Sequence, residues 1–191
     1  MKSEKDAPLD EVLIGGREER AMVTIVILEY DHEWPRRFET LAKTIRDALG
    51  EKALSVDHIG STAVPGLAAK PIIDILLTVL DVDDEASYVA ALENVGFVLH
   101  IREAGHRMLK TPTRDVNLHV LHPAHAAVAK YRDLRDWLCV DETDRALYAD
   151  AKKKLAQRRW ATVNDYADAK TGVISRILDH ARVWREQQPS S

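Results

Sequence analysis

Phe38, Leu41, Ala42, Ile45, Ala48 and Leu49 recur at helical spacing and stop at Gly50, which predicts an amphipathic helix. The chain enters it through Tyr30-Asp31-His32-Glu33-Trp34-Pro35, a turn by composition. Before that turn Val23–Leu28 is short and β-rich, so a strand or extended segment is expected. Leu54–Ile59 predicts a short strand running into Gly60-Ser61. Pro71 stops any helix, and Ile72–Val79 is an apolar run of strand length with Asp74 inside it. Asp83 and Asp84 offer a cap to a helix holding Tyr88, Val89, Leu92 and Val95, ended by Gly96. Phe97–Ile101, Arg107–Lys110 and Val116–Leu121 read as strands.

The final third changes period. Tyr131, Leu134 and Leu138 form one helical stripe and Leu147, Ala151 and Leu155 another. A third runs from Tyr166 through Val173 and Ile177 to Trp184, with Asn164 as the expected cap. These stripes are core faces first. Strands followed by helices predict an α+β domain with a helical C-terminal layer.

Composition narrows the classes. The 191 residues suit one domain with a substantial core, and 46% hydrophobic with 30% charged residues is ordinary for a globular chain. A net charge of −4 argues against broad nucleic-acid binding, though not against a local basic pocket. Cys139 is the only cysteine, which excludes an intrachain disulfide and a cysteine zinc cluster; it is expected as a small core residue. No apolar run reaches membrane-spanning length and no signal-peptide core precedes the domain, so a cytoplasmic protein without membrane contact is the expectation.

The chemistry concentrates between Val56 and Thr78. Gly60 and Ser61 let backbone N–H groups approach an anion, and a helix opening at Ser61 adds positive charge. Gly-Ser before a helix is also an ordinary turn. Asp74 in an apolar strand is costly unless it holds a metal or accepts strong hydrogen bonds. Strand alternation places Asp115, Asn117, His119 and Leu121 on one face, and Ile72, Asp74 and Leu76 on one face of the preceding strand. If those strands are neighbours, Asp74, Asp115 and His119 would converge on one cation. Oxygen ligands suit Mg²⁺, and an added histidine suits Mn²⁺ or Zn²⁺ better. Lys70 lies on the loop side of the strand, and Arg107, Lys110 and Arg114 form a basic stretch before Asp115. They would clamp phosphate if they lie near the Gly-Ser loop, and are surface charges otherwise. His58 points into the same site or is a satisfied structural histidine. His119, His122 and His125 tempt as a metal cluster and a histidine-metal hydrolase, but Pro123 interrupts them, so His122 and His125 read as loop residues. Ser61 lacks a nucleophile elbow.

His58-Ile59-Gly60-Ser61-Thr62-Ala63-Val64-Pro65-Gly66-Leu67 followed by Ala69-Lys70-Pro71-Ile72-Ile73-Asp74-Ile75 resembles the hallmark of the GrpB family. The resemblance extends over about residues 25–182. It includes Arg135-Asp136-Trp137-Leu138 and the elements Tyr148-Ala149-Asp150-Ala151-Lys152 and Tyr166-Ala167-Asp168-Ala169-Lys170. It departs at His32, which replaces a proline, and at Asn117, which replaces a histidine.

That family is grouped with nucleotidyltransferases of polymerase-beta-like fold. The resemblance therefore implies a nucleotidyltransferase-like mixed sheet flanked by helices, a nucleoside triphosphate as substrate or ligand, and Mg²⁺ or Mn²⁺. Asp74, Asp115 and His119 would carry the metal and the reaction. Gly60, Ser61, Thr62, Lys70 and Arg107 would contact the nucleotide, with Lys152 and Lys170 on the far wall of a cleft. Nucleotidyltransferases ordinarily carry two acids two apart on one strand, and here the second position is Leu76. A noncatalytic nucleotide-binding or accessory module, related to domains fused to dephospho-coenzyme A kinase, is the alternative. Since the resemblance starts near Ile25, residues 1–21 are expected as a loosely ordered extension, 22–186 as the domain and 187–191 as a frayed tail.

Overall fold

The computed structural model describes residues 22–188; the expected extension, and the tail beyond residue 188, lie outside the described residues. Helix α1 (Glu33–Leu49) buries Trp34 and, of the expected stripe, Phe38, Ala42, Ile45 and Leu49, with Leu41 and Ala48 half-buried, and ends at Gly50 with φ 55°. Five strands follow: β1 (Ser55–Ile59), β2 (Ile73–Thr78), β3 (Val98–Glu103), β4 (His106–Lys110) and β5 (Val116–Leu121). They form one sheet in the order β1-β2-β5-β4-β3. Only β2 and β5 are parallel; the other neighbours run antiparallel. The expected α+β class, with a mixed sheet flanked by helices, is what the chain adopts.

One sheet face carries the main core. Ile73, Ile75, Leu77, Val116, Leu118 and Val120 pack there against Trp34, Phe38 and Ile45 of α1 and Leu92 of α2 (Val89–Asn94). The opposite face is covered by the C-terminal layer: α3 (Ala126–Val140), α4 (Glu142–Ala156), α5 (Val163–Asp168) and α6 (Thr171–Glu186). Leu76, Ile59 and Leu121 meet Val128 of α3 on this side. Val64 and Leu67, from the loop joining β1 to β2, sit fully buried with Leu138, Tyr148 and Ile177 of the helices. That loop is therefore held between sheet and helical layer.

Local expectations divide. Val23–Leu28 is extended and joins the body through single bridges, Val23 to Trp160 and Leu28 to Ala69, and through Ile25, buried with Trp160 and Tyr166. The Asp83–Asp84 cap is not made: Oδ1 of Asp81 accepts from both of those backbone N–H groups, and a turn of 3₁₀ helix (Glu85–Ser87) precedes α2. The third C-terminal stripe belongs to two helices. Thr162, not Asn164, caps α5 through a reciprocal box with Asp165. Cys139 is exposed rather than core, because Leu138 takes the inward position of its turn.

Candidate functional site

The register of β1 and β2 builds the centre of the site. Ile59 pairs with Asp74, so the chain turns at Gly60 directly beside the Asp74 side chain. A Cβ on Gly60 would lie 2.5 Å from Asp74 Oδ2 and 2.9 Å from its Cβ. With φ 74° there as well, both the turn and the close approach demand glycine. The 3₁₀ turn Ser61–Ala63 follows at once. The carboxylate thus faces the glycine-serine corner, as the motif predicts. Its Oδ1 accepts from Asn117 Nδ2 at 2.7 Å, across the parallel β2–β5 ladder. Burial raises the Asp74 carboxyl above its usual range, opposed by Asn117 and by the charge of Lys70.

Asp74 opens onto a cavity of about 400 Å³ whose lining includes Ser61, Lys70, Lys110, Lys152 and Lys170. Four lysines face one aspartate. Two of them repeat one device: Lys152 lies 4.6 Å over the ring of Tyr148, and Lys170 lies 4.7 Å over that of Tyr166. The four-residue spacing within each Tyr-to-Lys element sets an ammonium on its own aromatic face. Lys70 reaches the Tyr166 ring as well, at 5.6 Å. Lys152 also donates to the Ala68 carbonyl at 2.5 Å. Burial, then the charge of Lys170, lowers Lys152 to about 7. Burial, then Lys70, lowers Lys170 to about 8. Burial lowers Lys70 too, with Asp74 opposing. Crowded, half-desolvated ammonium groups of this kind gain most from an anion placed among them. A second cavity of about 330 Å³, lined by Ile59, Leu134, Leu138 and Ile174, adjoins at Ser61, Asp74 and Lys170.

The remaining candidates separate. His119 does line both cavities, two positions along β5 from Asn117. Asp115 does not join it. It lies just before β5, where Arg37 of α1 binds its Oδ2 at 2.7 Å and Thr111 and Thr113 donate to Oδ1. The alternation that groups Asp115 with His119 fails because Asp115 precedes the strand and is turned towards α1. Arg107 is also misplaced: on β4 the cleft face belongs to His106, Met108 and Lys110, one residue out of phase. Arg107 is 5% exposed and ties Glu85 and Asp83 on the far side. Thr62 is buried and its hydroxyl is already engaged, donating to the Ile72 carbonyl and meeting His58 Nε2 at 3.0 Å. His58 stacks on Phe38 and is held by burial at about 4, a structural histidine. His122 and His125 bind nearby backbone N–H groups, His125 capping α3. Tyr148, Tyr166 and His106 also line the site; the two tyrosines head the Tyr-to-Lys elements, while nothing local in the sequence marks His106.

The donors fit a resident divalent ion poorly. Among the described residues no three His, Cys, Asp or Glu side chains gather to hold one. Leu76, at the second acid's position, is fully buried against Ile59 and Leu121. Asp74 is, among the described residues, the one carboxylate lining the cavity of about 400 Å³, set among amines.

A mixed sheet with a helical cover, a tight glycine-serine corner and a lysine-lined cleft defines an α+β protein with a cationic cleft between its layers. The chain belongs to the GrpB family, whose profile matches residues 24–180. It is similar to the UPF0157 protein BH1888 of Halalkalibacterium halodurans, 48% identical over 179 residues covering 92% of this chain and 91% of that one. The crystal structure of the conserved protein GrpB from Enterococcus faecalis is similar with a TM-score of 0.72 and 29% identity, over 83% of this chain and 99% of that chain. A dephospho-CoA kinase of Mycolicibacterium paratuberculosis shares 28% identity with 78% of this chain, which spans 44% of that longer protein. Among the described residues no helix is long and apolar enough to cross a membrane.

Proposed function

We propose that the cleft binds the phosphate chain of a nucleotide through Lys70, Lys152, Lys170 and the Gly60-Ser61 corner, as a binding module rather than a two-metal transferase. The observation that carries this reading is the four-lysine lining around a single aspartate. Lysines supply the positive charge that paired metals supply in nucleotidyl transfer. Leu76 and the distant Asp115 leave that chemistry without its second acid. Similarity to a segment of a dephospho-CoA kinase is compatible with an accessory role beside a nucleotide-using enzyme.

Thermal unfolding with adenosine triphosphate tests it, in chelator and again with Mg²⁺. A ligand at a hundred times its Kd stabilises by about 2.7 kcal/mol, so the melting point should rise in chelator alone. Lys170→Met should weaken binding about tenfold, the loss of one charge-assisted contact. Asp74→Asn should leave binding of inorganic triphosphate intact or tighter, because it removes a negative charge and keeps an acceptor for Asn117. Stabilisation that needs Mg²⁺ and vanishes in Asp74→Asn would overturn the lysine reading in favour of the metal one. Release of pyrophosphate from labelled triphosphate would assign nucleotidyl transfer instead.

A further inference from the structure

A hydrogen-bonded chain ends at the cleft. Glu103 and His106 face each other across the β3–β4 hairpin, and Glu103 Oε2 lies 2.9 Å from His106 Nδ1. His106 Nε2 lies 3.1 Å from His119 Nδ1 on the next strand. The two imidazole planes differ by 11° with centroids 5.4 Å apart, as rings joined edge to edge in one plane do. A carboxylate only accepts, so His106 carries its proton on Nδ1. With His106 uncharged, its Nε2 is bare and takes the Nδ1 proton of His119. The nitrogen of His119 left for the cleft is an unprotonated Nε2. Burial above all holds the His119 ring neutral by lowering it to about 3.

We propose that Glu103 and His106 position His119 as a hydrogen-bond acceptor towards the cleft, so that the bound ligand offers it a donor beside Asp74. His119 is the diagonal neighbour of Asp74 on the same sheet face, because Asp74 pairs with Asn117 and Leu76 with His119. Two adjoining acceptors select a group with two donors. In a nucleotide, whose phosphates lie among the lysines, those donors are the ribose hydroxyls. This ligand class rests on the phosphate-cleft reading; the tautomer does not. An acceptor pair left facing a sugar without hydroxyls stays unpaired, which is how such sites reject an analogue.

The test begins with the full chain labelled with ¹⁵N-histidine, in long-range proton–nitrogen correlation spectra at pH 8. His119 should carry its proton on Nδ1, the tautomer that free neutral histidine disfavours. In His106→Phe and in Glu103→Ala the lock is gone and His119 should move towards the Nε2-protonated form. Two variants guard against a folding defect in one. Titration then compares adenosine triphosphate, its 2′,3′-dideoxy analogue and inorganic triphosphate. The wild type should prefer the ribonucleotide by about tenfold, the variants should lose that preference, and inorganic triphosphate should bind all forms alike. An Nε2-protonated His119 in the wild type overturns the positioning. Equal affinity for ribo and dideoxy forms overturns the recognition. Failure of inorganic triphosphate to bind overturns the phosphate-cleft reading and the ligand class drawn from it, while the positioning stands or falls on the spectrum.

Discussion

Gly60 and Gly66 allow the site to be dissected at the level of single atoms. Both have φ near +75°, at 74° and 75°, yet a Cβ at Gly66 meets nothing within 4 Å while one at Gly60 collides with Asp74. Gly66→Ala should therefore lose about 1–2 kcal/mol of stability from the left-handed backbone alone. Gly60→Ala carries the same strain and also pushes the carboxylate aside, so its loss should be larger by about 1 kcal/mol or more. Urea denaturation gives both values. Triphosphate binding should survive in Gly66→Ala and fail in Gly60→Ala. Equal losses in the two variants would mean that Asp74 yields freely and that the corner is not built around it. Lys152 gives the complementary case at this scale. It is 2% exposed, so its ammonium is retained by the Ala68 carbonyl and the Tyr148 face, and it acts as a wall of the cleft rather than a mobile arm.

At the scale of elements, α5 is the short piece on which two of the lysines depend, since Tyr166 lies between Lys70 and Lys170. Six residues long, it has little intrinsic stability and relies on the Thr162–Asp165 box. Thr162→Ala should cost about 1 kcal/mol in urea denaturation and weaken triphosphate binding, while Asn164→Ala should leave the cap untouched. The sequence pattern missed this cap because Tyr166, Val173 and Ile177 keep helical phase across the break between α5 and α6. The same limit governs the site. Asp74, Gly60 and Ser61 were legible because an acid inside an apolar strand and a glycine-serine turn are local signals. Lys152 and Lys170 were legible only as repeats of one element. Asp115 and Arg107 misled for one reason: alternation says which residues share a face only once the strand's ends and phase are known. Asp115 lies one residue outside β5, and Arg107 lies one step out of phase on β4. His106 escaped notice because its partners, Glu103 and His119, become neighbours only when β3, β4 and β5 are laid side by side.

The whole molecule should show two opposed responses to pH, both traceable to the cleft. Lys152 and Lys170 are lowered to about 7 and about 8 from an ordinary 10.5. Between those values and 10.5 the unfolded chain holds protons that the folded chain has released. Unfolding free energy rises with pH wherever the unfolded state binds more protons. Stability of the free protein should therefore increase from pH 7 towards pH 10. Above 10 it should turn down, because Tyr148 and Tyr166 are held at about 12 and keep protons that the unfolded chain loses. Lys152→Met should flatten the rise, removing about 1–2 kcal/mol of it. Binding runs the other way, since only the ammonium form attracts phosphate. The added stability from saturating adenosine triphosphate should shrink across the interval in which the free protein grows more stable, and Lys170→Met should make that shrinkage shallower. Chemical denaturation at fixed pH, with and without ligand, measures both curves. A free protein whose stability stays level from pH 7 to pH 10 would mean that these lysines remain fully charged in the fold. The cleft would then gain less from an anion than its crowding implies.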